Sequence, residues 1–446
     1  MHNQNVQKLT LSLICLALFS VYAGAWEHHT LITGPLISSW PEIADRDPVK
    51  VTSLEEFLSA TEHSLEITLA NEERWACLML EAYAPLPVEL AFKATGTISD
   101  IRKRFFEAIR INPNHKAALY LSSLVEDPEA PRTGLAPSEV SVVEGGAEMK
   151  QFRFEALNPG DLVHPSTILT TASHEPDYGL DIGLFTDNKT DYGSRYGFGE
   201  QPFGDPDLVY GSQAPFHMGF YHESWLVFLF AGYLKGTYPE YRIHLYKTLS
   251  QMAFDHGQEY WGWRFMGWGL HYLMDLSMPY HSTVLPGYST VRMLLINLLS
   301  MLGYPKYVDN ALQLVSNRHM ARERYQGIQL ERLTRAEAWT NPLFEALHPS
   351  ETIPAYNDTI PRDEIAQKSH DMSRKVNKAL TTYMPDRFVN DPDFELAEAP
   401  DLNAIVDLVK TEHGQAAIDE LNALLAEAFS IFSLQGRGYI KSILPG

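Results

Sequence analysis

Histidine and carboxylate gather in a few short stretches of this 446-residue chain. HYLMDLSMPYH, residues 271–281, sets His271 and Asp275 four apart on an apparent helix, so both share a face one turn apart. Pro279 stops that helix and His281 follows. An imidazole and a carboxylate at this spacing can hold a zinc-like ion, and a carboxylate has a second oxygen for bridging to another. RHMARERY, residues 318–325, repeats the spacing with His319 and Glu323. Alone, either pair also reads as a helix-end histidine beside a capping acid, or as a solvated face. Two pairs and a trailing histidine are harder to explain that way. APFHMGFYHESW, 214–225, adds His217 and His222, and ASHEPDYG, 172–179, adds His174, Glu175 and Asp177 in a turn where a carboxylate is free to face a ligand. Local hydrogen bonding is the plainer reading of each of these two alone.

WEHHT, residues 26–30, supplies two more histidines directly behind an apolar leader. Lys8 is the leader's only charge, Leu9 to Tyr22 is too short to span a bilayer comfortably, and Ala23-Gly24-Ala25 is a small-x-small cleavage site. Residues 1–25 therefore read as a signal peptide, with export to the periplasm or beyond, and cleavage would leave Trp26 first. The remaining chain holds one cysteine, Cys77, so it can form no internal disulfide. Loss of Lys8 takes the formal charge from −21 to −22. That balance argues against wrapping nucleic acid. It still permits a small phosphate met at a local metal centre.

The elements that must position these groups are mostly helices. Apolar spacing of three and four predicts helices over 27–40, 53–85, 289–302, 306–332, 363–380 and 401–442, with a strongly helical, aromatic block at 217–276. Helical patterns flank Asn112-Pro113-Asn114, like one helix-turn-helix unit without repetition, and a short strand or two is expected within 138–155. Residues 177–216 are rich in Gly, Pro, Asp and aromatics, with no period. They read as an ordered wall of a site. DNKTDYG within them places Lys189 where a calcium ligand should stand, so calcium is disfavoured. VRMLLINLLSML, 291–302, reads first as a buried core helix and second as a face toward membrane or acyl chains.

Taken together, these motifs resemble the bacterial zinc-dependent phospholipase C family, to which the P1-type zinc nucleases are related. That family shows an N-terminal Trp, an early His, an Asp-Tyr turn and a further His, then His-x3-Asp-x5-His and a final His-x3-Glu or His-x3-Asp. Here the order is Trp26, His29, Asp177, His217, His271, Asp275, His281, His319 and Glu323. His29 is preferred to His28 because HTLIT leads into a helix and because spacing i, i+3 shares a face with Trp26. The resemblance covers 26–40 and about 170–325. Residues 50–165 have no counterpart and are expected to form an inserted helical subdomain; 330–446 would be additional C-terminal helices.

The resemblance implies a mostly α, phospholipase C or P1 nuclease-like fold with three zinc ions. Asp177, His217, His271 and Asp275 would hold one. Asp275 would bridge to a second, held also by His29 and by the amine and carbonyl of Trp26. His281, His319 and Glu323 would hold the third. Asp177 would orient or deprotonate the attacking water. The implied substrate is a glycerophospholipid, first of all phosphatidylcholine, met at a transiently contacted membrane surface. Tyr178 and Phe216 with Glu27 would receive its head group through cation–π and charge contact. A P1-type nuclease or nucleotidase is the alternative within the same chemistry. A helical binding module with structural histidines is the alternative outside it.

Overall fold

The computed structural model describes residues 28–38, 40–124, 132–143, 149–350 and 352–444. Residues 1–25, expected to be a cleaved leader, and Trp26 and Glu27 lie outside these residues. Helix accounts for 61% and strand for 3%, an all-α fold. The organising element is α7, Glu259–Leu276. Every residue from Tyr260 to Leu276 is buried, so α7 has no polar face and must be wrapped on all sides. α6 (Pro239–Asp255), α4 (Pro165–Ala172) and α12 (Gln415–Ile443) wrap it. Gly267 permits the approach of α4: a Cβ there would lie 2.6 Å from the Ala172 Cβ. That contact sets the end of α4, and the turn after it, beside His271.

The N-terminal helix α1, His29–Ser38, packs on α4 and on α9, Lys306–Arg335. α8 (Thr290–Met301) lies against α9 and against α5, Trp225–Phe230. α10 (Gln367–Tyr383) and α11 (Ile405–His413) complete the C-terminal layer with α12. Among the described residues no helix is long and apolar enough to cross a membrane.

Residues 50–165 are less helical than expected. α2, Leu54–Met79, opens with a Ser53–Glu56 capping box and buries Leu54, Phe57, Leu58 and Leu65 at helical spacing. Beyond it, the longest helix is α3, Ile101–Ala108. The Asn-Pro-Asn segment is followed by extended chain rather than a second helix. Tyr120–Ser123 forms strand β2, which pairs antiparallel with β4, Arg153–Ala156, and β4 also pairs with β3, Gly134–Leu135. Alternate burial of Tyr120 and Ser122 suits a pleated strand, and the ladder outweighs local helix preference. β1 (Val49–Lys50) pairs with β5 (Leu162–Val163). The segment therefore leaves and rejoins the helical body at one place.

Residues 177–216 form an irregular wall held by side chains bonded to backbone. Asn188 accepts from the Phe185 amide at 3.0 Å and Asp187 from the Gln201 amide at 2.9 Å. α8 departs from its first reading as a core helix. Among its residues only Met293 and Ile296 are buried.

Candidate metal centre

Six segments meet at one buried cluster. His29 is the first residue of α1. Asp177 lies in the turn Glu175–Tyr178, closed by Gly179 at φ 99°. His217 ends a short helix, Ala214–His217. His271 and Asp275 sit one turn apart on α7, and His319 and Glu323 one turn apart on α9. His281 lies in Pro279–Ser282, directly after α7.

Three groups in this cluster can each hold a metal ion: His29 with Asp177 and His271; His217 with His271 and Asp275; His281 with His319 and Glu323. In the second group, His217 Nδ1 lies 2.7 Å from Asp275 Oδ2 and 3.1 Å from His271 Nε2, which is 3.3 Å from the same Asp275 oxygen. Asp177 Oδ1 stands 3.5 Å from His271 Nε2. In the third group, His319 Nε2 is 2.8 Å from Glu323 Oε1 and 3.1 Å from His281 Nε2. Tetrahedral ligands about 2.0 Å from zinc stand roughly 3.3 Å apart. The observed separations suit donors aimed at shared cations.

Asp275 is the hub. Its oxygens lie within 3.6 Å of His29, His217, His271 and His281. Asp275 Oδ1, His281 Nδ1 and both oxygens of Asp177 are buried without a hydrogen-bond partner. Such groups are costly to bury unless something satisfies them. Nitrogen and oxygen donors without sulfur suit a zinc-like ion.

The surrounding protein fixes the donors. Ser173 O accepts from His271 Nδ1 at 3.0 Å, which turns Nε2 toward the cluster. Asp181 Oδ2 backs His217 Nε2 at 3.5 Å. Asp181 is itself held by Arg242 at 2.7 and 3.0 Å and by the Tyr272 hydroxyl at 2.5 Å. Glu175 takes two bonds from Arg264, each 2.9 Å, and one from Trp268 at 2.5 Å, anchoring the turn that carries Asp177.

Electrostatics divides the histidines. Burial alone would lower all of them. At His29, Asp177 and Asp275 outweigh burial and raise the imidazole to about 9; at His217, Asp181 and Asp275 raise it to about 10. Burial wins at His319, lowered to about 3, at His174, lowered to about 4, and at His271 and His281. Asp177 and Asp275 are held well below the carboxylate range, because the imidazoles beside them overcome burial. Without an ion, protons on His29 and His217 balance these carboxylates. Metal binding would release them.

The structure brings together His29, Asp177, His217, His271, Asp275, His281, His319 and Glu323. His28 turns away, at φ 76°, and its Nε2 meets Glu331. His222 bonds instead to the Arg362 carbonyl at 2.7 Å. Two expected head-group contacts are corrected. Phe216 is 0% exposed, packed among Phe185, Phe198 and Tyr238 under the Arg242 guanidinium. It points to the core because its neighbour His217 points to the cluster. Tyr178 is buried too, with its ring edge-on to His174 at 5.1 Å, so it walls the donors rather than a substrate.

Two further contributors carry no spacing signal in the sequence. His174 Nδ1, His29 Nδ1 and Asp177 Oδ2 form a triangle with every side 3.2 Å. Asp181 supports His217. SHEPDYGLD holds one histidine and three carboxylates, but only the fold shows which of them face inward. No family model, curated protein or solved structure matches the chain.

Proposed function

We propose that the chain is a zinc-dependent phospholipase C, exported by cleavage between Ala25 and Trp26, that hydrolyses glycerophospholipids to diacylglycerol and a phosphorylated head group. The observation that carries this reading is the convergence of three buried His/Asp/Glu groups around one shared aspartate, Asp275. Asp177, His217, His271 and Asp275 would hold one zinc, and His281, His319 and Glu323 another. A third would sit at His29. There the resemblance supplies Asp275 and the free end of Trp26, and the geometry also offers Asp177 and His174.

Zinc supplies Lewis acidity toward phosphoryl oxygens and lowers the pKa of water. The protein's own groups do the rest. Water adds to phosphorus, the bond from phosphorus to the glycerol oxygen breaks, and diacylglycerol leaves with a proton. Asp177 is 7% exposed, the most open carboxylate of the cluster, and stays ionised at neutral pH. It is the group assigned to accept the water's proton. Asp181 and the Ser173 carbonyl keep His217 and His271 oriented through the reaction. Lipid is preferred over nucleic acid on the strongly acidic charge and on the exposed apolar helices described below.

The test is hydrolysis of phosphatidylcholine and of single-stranded DNA, with and without chelator, alongside zinc analysis of protein beginning at Trp26. Chelator-sensitive release of phosphocholine, with three zinc ions per chain, is expected. Cleavage of DNA but not lipid would make the chain a nuclease. Turnover of neither by zinc-loaded protein would leave a binding module.

A further inference from the structure

α8 shows an outward apolar stripe. Val291, Leu295, Leu298 and Leu302 follow helical spacing and are exposed, Val291 by 76% and Leu298 by 52%. α5 carries Trp225, 71% exposed, and Leu229 on the neighbouring surface. The two helices begin side by side, with Ser224 Oγ 3.3 Å from Thr290 Oγ1. Contiguous apolar surface of this kind marks an interaction site rather than chance exposure.

Charge says what covers it. Residues 224–238 and 286–308 contain no Asp or Glu, although the chain has 56 against 35 Lys and Arg. Their charged side chains are Arg292, Lys306 and Lys235, the last paired with Glu81 at 3.0 Å. This is the face on which an otherwise acidic protein can approach a layer of phosphates. Tyr304, just past α8, and Tyr307, in the first turn of α9, stand exposed, and amphipathic aromatics of this sort settle at the level of head groups. A helix of twelve residues is about 18 Å long, enough to lie on a bilayer and too short to cross it. The face also adjoins the metal centre. α5 follows His217, α8 follows His281, and Glu223 accepts from the Val284 amide at 2.8 Å, tying the two connections together.

We propose that α5 and α8 form a docking face for a phospholipid bilayer, on which the two helices lie with their apolar side chains in the head-group boundary. The proposal deepens the phospholipase reading by naming how the enzyme meets aggregated substrate. The docking itself requires no catalysis.

The experiment is co-sedimentation of the chain freed of residues 1–25, whose apolar leader would bind lipid by itself. The vesicles are phosphatidylcholine with a minor fraction of phosphatidylglycerol, in chelator. The chain is expected to sediment with the vesicles. L295E/L298E should weaken that partition by at least about tenfold. R292E should weaken it less and more at low salt. Both variants should hydrolyse a monomeric short-chain phosphatidylcholine at the unaltered rate when zinc-loaded. Partition unchanged in L295E/L298E, or none by the starting protein, overturns the docking face. A dimer by sedimentation velocity that L295E/L298E splits also overturns it, in favour of a second copy as the occupant. Vesicle binding without lipid cleavage would sink the phospholipase reading and leave docking intact. Lipid cleavage without vesicle binding would do the reverse.

Discussion

Asp275 is fully buried against four histidines, while Leu298, on a helix of the same body, is half in water. The candidate metal centre and the α5–α8 face thus invert the usual partition in opposite directions. Burying ionised carboxylates costs several kcal/mol each unless they are paired. Leaving large apolar side chains in water forgoes roughly 25 cal/mol per Å² of surface. Each cost identifies the partner that would remove it: cations at one place, lipid at the other.

The largest expected effect is at the hub. Asp275→Asn keeps the shape but removes the charge that four imidazoles share. It should lose bound metal and phospholipid hydrolysis together, well beyond the 10–100-fold typical of a supporting residue. Full zinc content by elemental analysis in this variant would contradict the hub role. L295E/L298E should leave zinc content untouched, since it acts on the opposite kind of mismatch.

The two regions also differ in how readable they are from sequence. His271/Asp275 and His319/Glu323 are legible because a four-residue spacing on a helix fixes which side chains share a face. The apolar stripe is not. Periodicity gives the same signal for a helix buried in protein and for one turned toward lipid. Only the placement of α8 at the edge of the body separates them. The failure at 115–124 has a different cause. AALYLSSL suits either period, and pairing with β4, thirty residues later in the chain, decides for strand. Phe216 misleads because adjacent residues on a short helix point apart, so nearness to His217 in sequence says little about facing it. His174 is visible in the same turn as Asp177 but falls outside the implied ligand set, since no spacing rule says which residues of a turn face inward.

His174 gives the next largest effect, within the centre itself. Its triangle with His29 and Asp177 is as tight as the better-recognised groups. His174→Ala should lose about one zinc of three, with the other two retained, read as zinc per chain after gel filtration. His319→Ala should lose a different one, so the double variant should lose two. Unchanged zinc in His174→Ala would move the His29 ion to the side of Asp275 and Trp26. In that event one extra residue before Trp26 should remove the same ion.

The smallest effect concerns a carboxylate beneath the apolar face. Glu240, at the start of α6, lines a cavity of about 260 Å³ under α5 with Phe228, Leu234 and Lys235. The charged neighbours acting on it are Arg362, 3.5 Å away, and Asp363. Burial outweighs Arg362, Asp363 adds to the rise, and the carboxyl is pushed from 4.5 up to about 7. Asp275 moves the other way, because imidazoles surround it. A raised carboxyl holds a proton in the folded chain that the unfolded chain releases. Stability should therefore fall as pH rises from about 4.5 to about 7 and level off above. Glu240→Gln removes that dependence. The variant should equal the parent near pH 4 and exceed it at pH 8 by a few kcal/mol at most, since each pH unit between the folded and unfolded titrations is worth about 1.4 kcal/mol. Denaturant melts at both pH values measure the difference. An equal difference at both would mean that Glu240 titrates alike in the folded and unfolded chain and that water in the cavity, rather than burial, governs the carboxylate under the docking helices.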